Sequence, residues 1–129
     1  MIIRKIIFAW ESGTAWETYG EVFWDKKYIP KRIENKIWTR IIYSDAPIGQ
    51  KHQEKDLKSL REIRIDKHTP IKIQIKLFGK RFSAFVSEKE MIGLIIESQA
   101  IHDTLKGIFE VHWNNLSKKT VSQSKTNFA

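Results

Sequence analysis

No cysteine occurs in this chain of 129 residues. Disulfides, thiolate metal ligands and a thiol nucleophile are therefore excluded, and a reducing cytoplasm suits the composition. Long apolar runs are missing as well: none approaches the roughly 20 residues that a membrane helix needs. The opening MIIRKIIFAW begins like a signal peptide, but its charges sit inside the apolar run and Glu11 ends it early. The glycine patterns that cradle phosphates, GxGxxG and GxxxxGK[ST], are absent, and so is the GxSxG nucleophile elbow. His52, His68, His102 and His112 lack the short spacing of paired metal ligands. Neither a metal nor a cofactor is expected.

Apolar residues make up 41 % of the chain, with five Trp and seven Phe, which rules out a disordered composition. The length suits one domain with a real core. Residues 1–117 are expected to form it, and residues 118–129, polar and without period, a flexible tail. Lysine and arginine total 23 against 15 acidic residues, a formal charge of +8. Such a balance favours an anionic partner such as nucleic acid, or else a charged surface that keeps the domain dissolved.

The stretch GLIIESQAIHDTLKGIFEVHW, residues 93–113, organises the reading. Gly93 to Ile96 reads as a buried strand. Ser98 then fits an N-cap, and the apolar spacing becomes helical. Ile101, Leu105, Ile108 and Leu116 fall on one face, with Phe109 and Trp113 on its flank and His112 near the middle. Upstream, residues 2–10 read as a strand covered on both faces. Thr14 and Glu17 fit a capping box for a helix whose face is Trp16, Tyr19, Gly20 and Phe23. Pro30 should break or kink that helix, leaving a short helical piece over residues 31–35. IWTRIIY, residues 37–43, is the next strand, and strand–helix–strand of this length implies a parallel pair. Residues 44–56 read as a long loop. Residues 62–66 suit a short edge strand. Ile71 to Phe78 alternates cleanly, and a two-residue turn at Gly79 and Lys80 leads into a second strand over residues 81–86. The fold class is α/β: one mixed sheet with helices on both faces.

Three places carry candidate chemistry. In open α/β sheets, ligands sit beyond the carboxyl ends of the parallel strands. Those ends are expected to carry Trp10, Glu11, Ser44, Asp45, Glu97 and Ser98, with helix N-termini at Thr14 and Ser98 to hold an anion or a hydroxylated ligand. Arg61 and Arg64 can present planar forks to an anion, or form a surface ion-pair ladder. Lys72, Gln74 and Lys76 alternate outward, with Lys80 and Arg81 at the hairpin tip. That basic face either touches phosphates or keeps a sheet edge soluble. Glu88 and Glu90 read as solvated charge.

IGLIIESQAIHDTLKGIFEVHW resembles the closing segment of TrmB-like transcriptional regulators, an IGxIIES–xxIxxTxxxIFExxW pattern. WETYGEVFWDKKYIPKRIENKIWTRIIYSD is similar to the helix, YIPKRI segment and second strand of the same domain, and DLKSLREIRI to its LRExR segment. The resemblance spans about residues 2–117. It implies half of a phospholipase D-like fold that senses an effector, a sugar in some members, and pairs into a homodimer. It also implies a winged helix-turn-helix ahead of the domain; this sequence begins at the sensor part, so DNA is expected to be reached only through a separate helix-turn-helix. The closing helix, with Ile101, Leu105, Ile108, His112 and Trp113, is expected to pack on the sheet and to share in the dimer surface. Phospholipase D chemistry needs a histidine in HxKxxxxD, and none of the four histidines has a lysine two residues on. The expectation is a non-catalytic, cytoplasmic regulator domain. A small phosphodiesterase and a direct nucleic-acid module acting through Lys72, Lys76, Lys80 and Arg81 are the alternatives.

Overall fold

The computed structural model describes residues 5–12, 28–44 and 46–116. The capping box at Thr14 and Glu17, the helix face from Trp16 to Phe23, Asp45 and the polar tail lie outside these residues. Six strands form one mixed sheet in the order β3-β2-β1-β4-β5-β6. They are β1 (Lys5–Glu11), β2 (Ile37–Tyr43), β3 (Arg61–Ile65), β4 (Gln74–Phe78), β5 (Phe82–Ser87) and β6 (Ile92–Glu97). The helices among the described residues are α1 (Ile29–Glu34), α2 (Ala46–Gln53) and α3 (Gln99–Asn114). β1, β2 and β3 run parallel, as the crossover rule requires, and β4, β5 and β6 follow as an antiparallel meander. A mixed α/β sheet with helices on both faces is thus the architecture.

The pleat sorts the core into two clusters. Phe8, Trp10, Ile42 and Leu77 point to one face, where α3 lays Phe109 and Trp113 over them. The Phe109 ring meets Phe8 and Trp10 edge-on, with centroids 5.3 and 5.1 Å away, and stacks on Trp113 at 5.5 Å. Ala9, Ile41, Tyr43, Ile63 and Ile65 point to the other face, the side of α1 and α2.

Pro30 sits in the first turn of α1, where a missing N–H costs nothing, and the helix it was expected to break or kink lies outside the described residues. Three sequence expectations change. Residues 44–56 are not a loop: α2 occupies much of them. It lacks an apolar stripe because a glycine holds it instead. A Cβ on Gly49 would lie 2.9 Å from Ile65 and 3.3 Å from Tyr43, so only glycine lets the helix backbone approach this closely. The hairpin turn is longer than two residues, since Phe78 pairs with Phe82 around Gly79 at φ 61°. Finally, Gly93 to Ile96 is not buried. β6 is the outermost strand, and Ile92, Leu94 and Ile95 are 50 %, 55 % and 71 % exposed.

α3 starts as expected, with the Ser98 hydroxyl accepting from Ile101 N at 3.2 Å. Its buried stripe is rotated from the expected one. His102, Phe109 and Trp113 are buried and Leu105 is half-buried, whereas Ile101, Ile108 and Val111 face water. The helix therefore carries two apolar stripes, one on the sheet and one free.

Candidate functional site

The parallel strands β1, β2 and β3 end together at Glu11, Tyr43 and Ile65. β3 is followed by Asp66, whose N–H returns to Tyr43 O at 2.9 Å. Asp66 Oδ1 accepts from the N–H groups of His68 and Thr69 at 2.8 and 3.1 Å, an Asx-type turn that fixes the carboxylate. Its other oxygen lies 2.7 Å from Nε2 of His112, on the last turns of α3. The indole N–H of Trp10 donates to Nδ1 of the same ring at 3.1 Å. Three elements thus meet in a Trp10–His112–Asp66 chain.

Chemistry fixes the protons in that chain. Indole is a donor only, so Nδ1 must present a lone pair. Nε2 then carries the hydrogen and gives it to Asp66. This arrangement is that of the Nε2–H tautomer of His112, with both ring nitrogens spent. Burial alone would raise the Asp66 pKa, but hydrogen bonds from Thr69, His112 and the His68 backbone outweigh it and hold the carboxyl well below the usual carboxylate range. Beside this chain, an open and mainly apolar groove runs between α3 and the segment after β3, lined by Thr69, Thr104, Gly107, Ile108, Val111 and His112.

The expected rim residues separate. Trp10 joins the histidine chain. Glu11 alternates to the other face and pairs with Lys76 at 3.9 Å. Ser44 closes a loop by donating to Ile71 O at 3.2 Å. Glu97 and Ser98 leave the rim altogether, because β6 runs antiparallel to β1 and its carboxyl end lies at the opposite edge of the sheet. Ser98 caps α3 there, and Glu97 pairs with Arg81 at 2.8 Å.

Arg61 is buried, with its guanidinium on Asp56 at 3.0 Å and on His52 O at 2.9 Å. Burial pushes the Asp56 carboxyl up to about 6, against the pull of Ile63 N–H and Arg61. Arg64 donates to Trp113 O at 2.8 Å and Leu116 O at 3.0 Å while lying 4.3 Å from the Trp113 ring centroid. It caps the C-terminus of α3 with positive charge. Arg64 also pairs with Glu62 at 3.3 Å, so both arginines are ion-paired anchors and neither is an exposed fork. Arg32, which the sequence reading passed over, is a third: it donates to the carbonyls of Ile37, Ser59 and Leu60 and ties α1 to the turn before β3. No periodicity marks such a residue, although an arginine in a short helix beside two isoleucines was a signal.

The basic strand face does not form either. Gln74 is buried and donates to Glu88 at 2.7 Å. Lys76 is half-buried between Glu11 and Tyr28; burial opposes its ammonium, but those two groups raise its pKa. Among the described residues no cluster of three or more His, Asp or Glu side chains could hold a metal. On the Lys76 face, Glu11, Arg32, Thr39, Arg61 and Lys76 surround a cavity of about 30 Å³. That is room for about one water-sized group.

No family model matches the chain, and no curated protein matches it. Among solved structures it resembles TrmBL2, an archaeal chromatin protein described as showing a novel mode of DNA binding. The TM-score is 0.58 at 14 % identity, over 88 % of this chain and 45 % of that one. The likeness is one of fold, and the chain spans somewhat less than half of that structure. No helix among the described residues is long and apolar enough to cross a membrane.

Proposed function

We propose that the chain is a non-catalytic, effector-sensing and self-pairing domain of a TrmB-like, phospholipase D-like transcriptional regulator acting in the cytoplasm. One observation carries the non-catalytic part. A histidine nucleophile or general base needs a free ring nitrogen. His112, the histidine of the Trp10–His112–Asp66 chain, offers none. The small-phosphodiesterase alternative therefore cannot use His112 as its nucleophile and would have to rest on another histidine. The sensing part is supported by the groove beside His112, an open and mainly apolar surface with Thr104 on its lining, and a sugar is the effector that the resemblance to TrmB-like regulators implies.

A thermal-shift screen of the whole chain over sugars, nucleotides and carboxylates tests it, since a ligand that binds only the folded form raises Tm. One class should raise Tm, and the shift should vanish in Thr104→Val. A flat screen, together with hydrolysis of a generic phosphodiester that is lost in His112→Ala, would overturn the proposal.

Direct nucleic-acid binding is the second reading, supported by the +8 charge and the DNA binding described for TrmBL2. Of its basic residues Lys76 is paired inward and Arg81 is paired with Glu97, which leaves Lys72 and Lys80 to carry it. A salt-titrated DNA-binding assay separates the two readings: the regulator-domain reading expects no sequence-independent affinity from this chain even at low salt.

A further inference from the structure

Among the described residues β6 is an open edge, and its composition is uncommon for one. Its sequence, IGLIIE, has one charge, at its end, and neither lysine nor proline. Such edges are normally blunted by short length, charge, proline or a bulge. The ladder shows which backbone groups are unmade. Ser98 N donates to Arg81 O at 2.8 Å, so the Arg81–Ser98 pair is hydrogen-bonded. Bonded and non-bonded pairs alternate along an antiparallel ladder. Ile96, Leu94 and Ile92 therefore aim their backbone groups at β5, and Gly93, Ile95 and Glu97 aim theirs at open solvent.

The side chains around this edge are apolar. Register carries Ile92, Leu94 and Ile96 to the face that α3 covers, through Ser83 and Leu77 to Phe109. α3 packs over β1, β4 and β5 and leaves Ile92 and Leu94 exposed, and Ile101, Ile108 and Val111 form its free flank on the same face. These five side chains expose on the order of 500 Å², within the range of the largest apolar patch on a monomer, and Ile95 is exposed on the other face of the edge.

The geometry points to β6 pairing antiparallel with β6 of a second copy, extending the sheet across a two-fold axis. This rests on the self-pairing part of the proposed function and assigns its surface. A two-fold axis maps the edge onto itself only where a residue faces its own copy, because bonded and non-bonded pairs alternate. Centred on Ile95, the register keeps every pair from Gly93 to Glu97 inside the strand: Ile95 meets its own copy as a bonded pair, and Gly93 bonds with Glu97 of the second copy. It sets Leu94 against Ile96 of the second copy on the α3 face. A second copy supplies the same exposed isoleucines and leucine that this edge needs to cover.

The test is light scattering of the full chain over a wide concentration range, comparing the wild type with Gly93→Pro and Ile95→Lys. Proline is tolerated on an edge strand where the N–H faces solvent, and Ile95 is mostly exposed, so both variants should keep the wild-type far-UV spectrum. The expected result is a dimer that each substitution weakens roughly 100-fold. Amide exchange at Gly93, Ile95 and Glu97 should slow as the wild-type dimer forms. A dimer indifferent to both substitutions would overturn this pairing and leave the self-pairing reading standing. A chain that is monomeric at every concentration would overturn both. Slow exchange at those three amides that does not depend on concentration would show the edge occupied by another segment of the same chain, which also overturns the pairing.

Discussion

The parallel half of the sheet and its antiparallel wing solve the same problem in opposite ways. Toward the carboxyl ends of β1, β2 and β3 most residues are buried, and charged groups are drawn inside as fasteners. Arg32, Arg61 and Arg64 each bind backbone carbonyls, and Asp56 and Asp66 each accept backbone N–H groups. In β6 the apolar side chains stay in water, and the one ion pair nearby, Arg81 with Glu97, is exposed at both ends. The first region is finished by its own chain. The second has the composition of an interior and the position of a surface.

That contrast predicts how substitutions rank. Phe109→Ala should cost most, about 4 kcal/mol by denaturant titration, because it opens a cavity between three aromatic rings. Arg32→Ala should follow at about 3 kcal/mol, since it leaves three carbonyls without their shared donor; Arg32→Lys should recover only part of it. Ser98→Ala, at the boundary of the two regions, should cost about 1 kcal/mol through loss of the α3 cap. Ile95→Thr, on the wing, should change monomer stability by less than about 0.5 kcal/mol. A large loss there in dilute monomer would erase the distinction between the halves.

Acid should act on the parallel half first. The folded Asp66 carboxyl titrates below its unfolded counterpart, so its contribution is present above the ordinary carboxylate range and lost as pH falls through the folded value. Asp66→Asn should flatten the acid limb of a stability–pH curve. Asp56, raised to about 6, works the other way: the folded state binds the extra proton, so this group costs stability as pH rises from about 4 to 6. Asp56→Asn should remove that part of the slope.

Strands were legible where one face repeats apolar residues, as in β1, β2 and the hairpin, and α3 was legible from its cap and period. α2 was hidden because Gly49 holds it by close approach, and close approach leaves no hydropathy signal. The face of α3 was misjudged because Ile101 and Ile108 are as apolar as Phe109 and Trp113; only the bulk of the aromatic rings matched the space over Phe8 and Trp10. The same ambiguity made β6 look buried. At the site, Trp10 and His112 were each picked out but on separate grounds, and Asp66, which joins them through a turn, was not. Spacing along the chain carries no trace of a contact between residues 46 positions apart.

The doubly engaged ring of His112 has an optical consequence. A buried indole whose only N–H rests on a lone pair emits according to that lone pair's availability. A molecule settling in the neighbouring groove and shifting the imidazole should alter the donor's surroundings. Emission from Trp10, with the other tryptophans replaced, should then rise or fall as the groove fills, and a spectrum unmoved by any ligand would leave the groove unassigned.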